Sequence, residues 1–408
     1  MRKQLTVFLS LCVLMYMITG CWSRIELNDI AIVTAASLDL VDDQKIQLGV
    51  QVMKTKMTKG TAGKGDSSDN TTLIFSEQGD SVMDAYRKIQ KKIPRNLIFS
   101  HNRIVIIGEK LARSGITPII EFFSRYRDVR GNSYLLTTKG KAFELLNVGP
   151  NFEKFSAEEI REEQKARVID NATIRDFAYR LLEAGIEPIT SQLQIIPAGE
   201  KSTETSDTDS EKKNKNNELS LALVGVGVYR KDRLVGWMNA QEAETLLWLR
   251  NKMKDSVITV MIPDENKLFG KLSVQLMKSK ATIKSNITND QVQFHINIEM
   301  TGDLFENTTK LSTNSSKNLH TVQQLFENEV ERRVRLTIQK SKRKFKTDII
   351  GFGSKLHRQN NKVWNEKYAD RWDEAFSNIE VDVTTKFTII GTGRINDSLI
   401  WEEKEMQK

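Results

Sequence analysis

Cysteine is nearly absent from this chain, which has two in 408 residues. Both of them, Cys12 and Cys21, lie in the first 21 positions. A disulfide within the remaining chain is therefore excluded, and so is a cysteine nucleophile there. The folded part has to be stabilised by the packing of its core.

Histidine is also scarce. The four histidines, His101, His295, His320 and His357, form no His-Glu-x-x-His motif, and none lies close in sequence to a cysteine. The usual zinc-ligand spacings are therefore missing, and no Gly-x-Ser-x-Gly nucleophile motif occurs. We predict no catalytic residue, no metal ligand and no cofactor, and the sequence identifies no ligand-binding residue. His101 lies within an apolar stretch, and we interpret it as a structural histidine rather than a ligand contact.

Long apolar runs are missing, with one exception at 5–18. This run is shorter than the roughly 20 residues that a membrane-spanning helix needs. Arg2 and Lys3 precede it, and small residues follow it. Two cations, a short apolar run and a small-residue cleavage site are typical of a secretory signal peptide. We therefore predict a signal peptide at 1–20 and an exported chain beyond it.

The predicted signal ends in Ile18-Thr19-Gly20-Cys21, a pattern known as a lipobox. Small side chains let the backbone enter the cleft of a signal peptidase, and the cysteine thiol is the group that accepts diacylglycerol. We predict cleavage between Gly20 and Cys21. We also predict that Cys21 carries a thioether-linked diacylglycerol and an N-linked acyl chain such as palmitate. The alternative is a secreted protein with a chance cysteine at its cleavage site.

The charge balance is basic. The formal net charge is +8, of which Arg2 and Lys3 contribute two, so the chain beyond the signal is near +6. Such a body attracts anionic lipid headgroups or nucleic acid, but an exported location argues against nucleic acid. We prefer the interpretation that the protein is a soluble basic protein whose charge serves no specific binding. The most basic run, 340–346, either contacts anionic headgroups or is the solvated face of a long helix, and we favour the helix face.

Hydrophobic periodicity predicts both strands and helices. Alternating apolar residues predict a hairpin formed by 30–40 and 45–52, and the apolar stretch 97–108 predicts one buried strand. From Thr321 onward, apolar residues recur at every fourth position, which predicts a long helix with a single apolar stripe. The stripe consists of Val322, Phe326, Val330, Val334 and Ile338. This mixture indicates an α+β fold with mixed or antiparallel sheets flanked by helices.

Length and composition divide the chain. At roughly one domain per 150 residues, a chain of this length suggests two or three domains. The stretch 199–217 is rich in Ser, Thr, Asp, Glu and Lys and has no aliphatic residue, which predicts a polar linker or loop. We therefore divide the chain into a signal peptide 1–20, an N-terminal α+β region 21–198 of one or two domains, the linker 199–217 and a C-terminal α+β domain 218–408.

Several stretches follow one another in a recognisable order. They are 21–31, 94–97, Ser100-His101, 107–109, 225–237 and 348–353, followed by Trp364, Trp372 and Phe376. Together they resemble the Ger(x)C family of spore germination lipoproteins, the C subunits of nutrient germinant receptors. The match spans nearly the whole chain, so it is more specific than any single motif. One departure concerns 359–362, where Gln-Asn-Asn-Lys replaces a stretch in which the family often has a proline.

The resemblance implies a three-domain α+β lipoprotein on the outer face of the spore inner membrane. It also implies partnership with an integral-membrane A subunit and a transporter-like B subunit, and no enzymatic activity. Of the family's functional residues, it carries over Cys21 alone.

We therefore predict a non-enzymatic, lipid-anchored C subunit of a germinant receptor, needed for nutrient-triggered germination. Two alternatives stay open. One is a tethered extracytoplasmic solute-binding lipoprotein, although the sequence has no doubly wound, two-lobed pattern. The other is an exported enzyme such as a cell-wall hydrolase, although no catalytic set is recognisable.

Overall fold

The computed structural model describes residues 29–393, with gaps at 43, 55–71, 127, 167–171, 199–218, 264–268, 289–290, 310 and 314, together with residues 4, 6 and 8. Within these residues, thirteen strands form two sheets, and helices pack against both. The predicted α+β class is therefore confirmed. The rest of the predicted signal peptide lies outside the described residues. No helix in the described part of the chain combines the length and the apolar character needed to cross a bilayer.

The larger sheet has nine strands. They are β1 (Ile30–Val41), β2 (Lys45–Met53), β3 (Thr72–Gly79), β4 (Asn96–Ile98), β5 (Ile104–Gly108), β6 (Tyr134–Thr138), β7 (Ile189–Pro197), β8 (Leu219–Arg230) and β9 (Arg233–Asn239). Their order is β3-β2-β1-β5-β6-β7-β8-β9, and β4 pairs with the start of β1. Strands β1, β5, β6 and β7 run parallel, whereas β2, β3, β8 and β9 join through antiparallel pairs. The predicted hairpin of β1 and β2 is confirmed.

Helices cover both faces of this sheet. They are α1 (Val82–Lys92), α2 (Glu109–Ser114), α3 (Thr117–Arg125), α4 (Ala142–Leu145), α5 (Ser156–Ala166) and α6 (Ile174–Leu182). Successive side chains of a strand point to opposite faces. Val105 and Ile107 of β5 therefore pack with α1, α2, α3 and α6, whereas Ile104 and Ile106 pack with α4 and α5. Burial on both faces explains why this part of the sequence is continuously apolar.

The smaller sheet lies in the C-terminal part. Its strands are β10 (Val257–Pro263), β11 (Phe269–Thr288), β12 (Gln291–Asn307) and β13 (Glu380–Gly391), in that order. The accompanying helices are α7 (Ala240–Leu249) and α8 (Ser316–Gln339). All five residues of the predicted stripe on α8 are buried, which confirms the stripe, although the helix begins at Ser316 rather than Thr321. This helix also covers the free edge of β13, where Gln323 and Glu327 accept hydrogen bonds from the N–H groups of Ile389 and Phe387.

Short helical segments connect the two sheets. After α8 come a π-helical turn (Lys340–Phe345), α9 (Phe352–Gln359), α10 (Asn361–Val363), a second π-helical turn (Trp364–Tyr368) and α11 (Trp372–Phe376). One core cluster contains Val226 and Val228 of the larger sheet together with Phe294 and Ile296 of the smaller sheet. The two sheets therefore share a hydrophobic core.

One expectation about local structure was wrong. The stretch 97–108 forms two strands, because the chain turns after β4 and Asn102 N–H donates to the carbonyl of Phe99. His101 lies in that turn with an exposed side chain and therefore belongs to no core. The run 340–346 continues the long helix α8 as a π-helical turn; Arg343, Lys344 and Lys346 are exposed, as predicted for a solvated face, whereas Phe345 is buried. The apolar ring of Phe345, which needs a buried site, decides this conformation.

The predicted linker 199–217 lies outside the described residues. The strands on either side of it, β7 and β8, pair in antiparallel register from Ile189 opposite Val228 to Pro197 opposite Leu219. The larger sheet therefore continues across the position of the linker. The division of the chain into 21–198 and 218–408 stays a prediction.

Candidate functional site

The predicted cleavage and lipidation residues, Gly20 and Cys21, lie outside the described residues. The body begins with β1 at Ile30, and β1 lies in the interior of the larger sheet between β2 and β5. Ile30, nine positions after Cys21 in the sequence, therefore already belongs to a strand in the interior of the larger sheet.

Asp348 lies at the junction between the two halves of the chain and is 3% exposed. Its Oδ1 accepts hydrogen bonds from the backbone N–H groups of residues 350–352 at 2.7–3.2 Å. Its Oδ2 accepts hydrogen bonds from the N–H of Gly353 at 2.8 Å and from the indole Nε1 of Trp372 at 3.0 Å. Four backbone donors and one side-chain donor thus converge on a single carboxyl group.

Two glycines make this arrangement possible. Gly351 has a φ of +93°, in the left-handed region where residues with a Cβ are strained. A Cβ on Gly353 would lie 2.6 Å from Nε1 of Trp372 and 2.7 Å from Cα of Gly185. The pattern Asp-x-x-Gly-x-Gly therefore allows consecutive N–H groups to surround the carboxyl group, as in other anion-binding backbone turns.

The hydrogen bonds and the burial shift the pKa of the Asp348 carboxyl group in opposite directions. Burial raises the pKa of its carboxyl group, while the donors from Gly353, Gly351 and Phe352 act to lower it. Both oxygens are engaged and shielded from solvent, so Asp348 is not available as a general base. Its role here is to hold the surrounding backbone in place.

The Asp348 loop is tied to the end of the N-terminal half. Glu187 N–H donates to the carbonyl of Asp348 at 2.8 Å, and Ser354 N–H donates to the carbonyl of Gly185 at 2.9 Å. Ser354 Oγ also donates to Glu183 Oε1 at 2.7 Å. These bonds connect the segment between α6 and β7 to the loop that leads into α9.

A cleft of about 570 Å³ opens beside this junction. Its lining includes residues 180–187, the β8–β9 turn at Lys231 and Asp232, and the three side chains Asp370, Trp372 and Asp373. The cleft therefore has mixed polar and apolar walls with several carboxylates, and it is formed by both halves of the chain.

Glu187 is a second residue of this cleft whose pKa is altered by its surroundings. Burial raises its pKa to about 7, the hydrogen bond from Lys231 N–H acts against this shift, and the charges of Asp373 and Asp348 add to it. The Lys231 N–H lies 2.5 Å from Glu187 Oε2. A carboxyl group at the junction therefore changes its charge near neutral pH.

The hydrogen bonds at this site give Asp348 a structural role, because its carboxyl group holds the N–H groups of the surrounding backbone. In the part of the chain that the structure describes, no group of three or more His, Cys, Asp or Glu side chains is placed to hold a metal ion. Asp348 supports the backbone, and Glu187 responds to pH at the seam between the halves. The geometry thus suits the mechanical coupling of the two halves or the binding of a polar partner.

The sequence analysis did not assign a role to Asp348 or Glu187. The spacing of Asp348, Gly351 and Gly353 is the signal that points to a turn of N–H groups around a carboxyl group. Glu187 has no comparable local signal, because Lys231 and Asp373, which act on its pKa through a hydrogen bond and a charge, are distant in the sequence.

Comparison with protein families covers most of the chain. Residues 23–195 match the family described as "Spore germination protein N-terminal domain", and residues 224–393 match "Spore germination B3/ GerAC like, C-terminal". The two matches follow one another in the order of the chain.

Individual proteins are similar over nearly the same length. Spore germination protein KC of Bacillus subtilis (strain 168) is 24% identical over 398 residues, covering 95% of each chain. Spore germination protein B3 of the same organism is 24% identical over 390 residues, covering 92% of this chain and 95% of that one. The crystal structure of the GerBC protein matches with a TM-score of 0.55 and 21% identity, covering 87% of this chain and 96% of that chain. This last match confirms the fold.

Proposed function

This chain belongs to the GerAC/GerBC-like family of spore germination C subunits, and on that premise we propose that it is the lipid-anchored C subunit of a nutrient germinant receptor. The observation that carries the proposal is the pair of family matches at 23–195 and 224–393. They cover both halves of the chain, so the likeness is not confined to one shared domain.

In this proposal the anchor is Cys21. The lipobox at 18–21 supports cleavage before this cysteine and its modification by diacylglycerol and an N-linked acyl chain. One acyl chain holds a protein at a membrane only marginally, whereas two chains hold it stably. The anchored body then lies on the outer face of the spore inner membrane.

The proposed partners are the integral-membrane A subunit and the transporter-like B subunit. Tethering raises the effective concentration of the body at the membrane, so weak contacts with these subunits suffice for assembly. The proposed role is contact and coupling without enzymatic activity, and the cleft beside Asp348, which both halves of the chain form, is compatible with it.

The test compares the full-length chain with two variants in a spore former. Cys21→Ala removes the lipidated thiol, and Cys12→Ala is the matched control because it removes the other cysteine without altering 18–21. Each protein is purified from detergent-solubilised spore membranes together with whatever binds it. We expect the wild type and Cys12→Ala to retain the A and B subunits and normal germination. Cys21→Ala should lose membrane retention and show impaired germination.

Other outcomes contradict the proposal. Membrane retention of the Cys21→Ala protein with normal germination would show that the anchor is not needed. A protein that purifies alone, with a bound metabolite, would favour the tethered solute-binding lipoprotein instead.

A further inference from the structure

The basic run 340–346 is fixed to the body by several of its own residues. Lys340 Nζ forms an ion pair with Glu242 Oε2 at 2.5 Å, and the Phe345 ring is 2% exposed. A Cβ on Gly236 would lie 3.0 Å from Cδ1 of that ring, so the ring packs directly on the β9 backbone. The run therefore has one defined conformation, a π-helical turn of the kind that often occurs at functional sites.

Lys342 also contacts the body, by donating to the carbonyl of Ile379, whereas the other three cations of the run point away from it. The side chains of Arg343, Lys344 and Lys346 are exposed. Among the residues that the structure describes, none of these three pairs with a carboxylate. Three like charges on a rigid turn, without counter-charges, cost free energy through mutual repulsion unless an anion lies close to them.

A groove of about 750 Å³ adjoins this turn. Lys342 and Arg343 line it, together with hydrogen-bonding side chains that include Asn286, Ser377 and Asn378. Its two carboxylates already have partners. Glu380 accepts a hydrogen bond from Gln293 at 2.8 Å, whereas Asp382 lies 3.0 Å from His295 Nδ1 and 3.7 Å from Arg335 Nη2. The groove therefore contains two cations and two carboxylates, and the positive charge that these carboxylates do not offset lies next to the groove, on the exposed side chains of Lys344 and Lys346.

The topology puts this turn at the edge of the larger sheet where β1 begins. Parallel strands begin at the same edge, so Ile30 of β1 and Ile189 of β7 lie at that edge. Ile189 pairs with Val228 near the end of the antiparallel strand β8. Two residues farther on, Arg230 donates hydrogen bonds to the carbonyls of Phe345 and Lys346.

The tether is long enough to bring this edge to a membrane. Eight residues, 22–29, separate Cys21 from Ile30, and such a stretch reaches at most about 30 Å. Strands β1 and β8 are four strand spacings apart, or about 19 Å. The cations of the turn are therefore on the side of the body that an anchor at Cys21 holds near the bilayer.

We propose that Arg343, Lys344 and Lys346 form a docking surface for the anionic phosphate headgroups of the bilayer that carries the protein. This inference rests on the lipid anchor of the proposed function. It adds a second attachment, through charge, that orients the body on the membrane.

The first test measures the exposure of individual lysines on vesicles. Every buried apolar residue of the described part lies between Ala31 and Ile389, so a chain that begins at Cys21 retains the core. Its thiol is coupled to a maleimide lipid in vesicles of phosphatidylcholine, with or without phosphatidylglycerol. Acetylation rates are then read by mass spectrometry. Lys344 and Lys346 should react several-fold more slowly on the anionic vesicles, and high salt should abolish the difference. The control lysines, Lys139 and Lys141 at the opposite sheet edge, should react equally on both.

The second test uses the same chain with its thiol blocked, so that it has no tether. We compare flotation with anionic vesicles for the wild type and the triple variant R343Q/K344Q/K346Q. Each cation near an anionic surface strengthens binding about fivefold, so the variant should bind on the order of 100-fold more weakly. The matched control, K110Q/K139Q/K141Q, removes the same number of charges elsewhere and should lose much less.

Equal acetylation of Lys344 on neutral and anionic vesicles, or equal losses in the two triple variants, would overturn the inference. Protection of Lys344 in spore membranes but not on anionic vesicles would identify an acidic protein surface as the occupant and would also overturn it. The anchor in these vesicles is supplied chemically. A failure of lipidation or receptor assembly in spores would therefore be distinguishable from a failure of docking.

Discussion

The carboxyl group of Asp348 accepts hydrogen bonds from five N–H groups through two oxygens, whereas an amide has only one oxygen that can accept them. In Asp348→Asn, one of the two oxygens becomes an NH₂ group, which faces at least the N–H of Gly353 and the indole N–H of Trp372. At least two buried donors then lack an acceptor, at about 1–3 kcal/mol each. We expect the free energy of unfolding, measured by urea denaturation, to fall by about 2–6 kcal/mol.

The variant Trp372→Phe is the matched control for this substitution. It removes the indole donor, but it keeps an aromatic ring in the core and leaves no donor unpaired. Its loss of stability should therefore be smaller than that of Asp348→Asn. The reverse order would contradict the role that we assign to the carboxyl group.

Glu187 gives the stability of the protein a predictable dependence on pH. Its pKa is raised from an ordinary 4.5 to about 7 in the folded state, chiefly by burial. Between these values the unfolded chain releases the proton that the folded protein keeps. The contribution of Glu187 is thus fully present below the unfolded pKa and is lost as the pH rises through 7.

The variant Glu187→Gln mimics the protonated form at every pH. We expect its stability relative to the wild type to increase from about pH 5 to about pH 8, by at most about 3 kcal/mol. Urea denaturation of both proteins across this range measures the difference. A difference that is constant with pH would show that Glu187 does not titrate at the junction.

Residues differ in how far the sequence reveals their roles. Cys21 can be assigned a role from the sequence because the lipobox at 18–21 is a local pattern of four residues. The lipidation of Cys21 stays a prediction that rests on this pattern. For Asp348, the sequence reveals the local turn but not the contact with the other half of the chain. Its own turn can be inferred from Gly351 and Gly353, whereas the hydrogen bond that its carbonyl accepts from Glu187 N–H depends on how the two halves of the chain pack together.

At the scale of elements, apolar periodicity was sufficient to predict a helix or a hairpin wherever its packing follows a simple period. The apolar stripe on α8 and the hairpin of β1 and β2 are both confirmed, because a period of about 3.6 or of two puts apolar groups on one face. The edge strand β13 also has an apolar pattern. Its protection by Gln323 and Glu327, however, requires a helix whose position the sequence does not reveal.

Two elements departed from their patterns for identifiable reasons. The stretch 97–108 has one continuous apolar pattern, yet β4 pairs with β1 at residues 30–32 and β5 pairs with it at residues 35–38. A turn between them brings both into register. The run 340–346 departs from a purely solvated helix face because Phe345 packs against Gly236 of a distant strand. Both departures result from tertiary contacts that override local preference.

At the scale of the whole molecule, composition and topology point to different divisions. The polar stretch 199–217 predicts a boundary, and the two family matches end and begin on either side of it, at 195 and 224. The pairing of β7 with β8 instead joins the two sides in one sheet. Composition indicates where a chain is polar. Whether a polar segment separates two domains or connects two strands of one sheet is decided by long-range strand pairing.

Cleavage within 199–217 distinguishes these two divisions. We expect that a chain carrying an inserted protease site there, once fully cut, still elutes from a sizing column as one particle. The fragments share the backbone pairing of β7 with β8 and one core cluster that contains Ile189, Val226 and Phe294. They should therefore separate only in denaturant, and the uncut protein is the control for particle size. Two folded fragments that elute separately would instead support 21–198 and 218–408 as independent domains, because each would then have a core that is sufficient by itself.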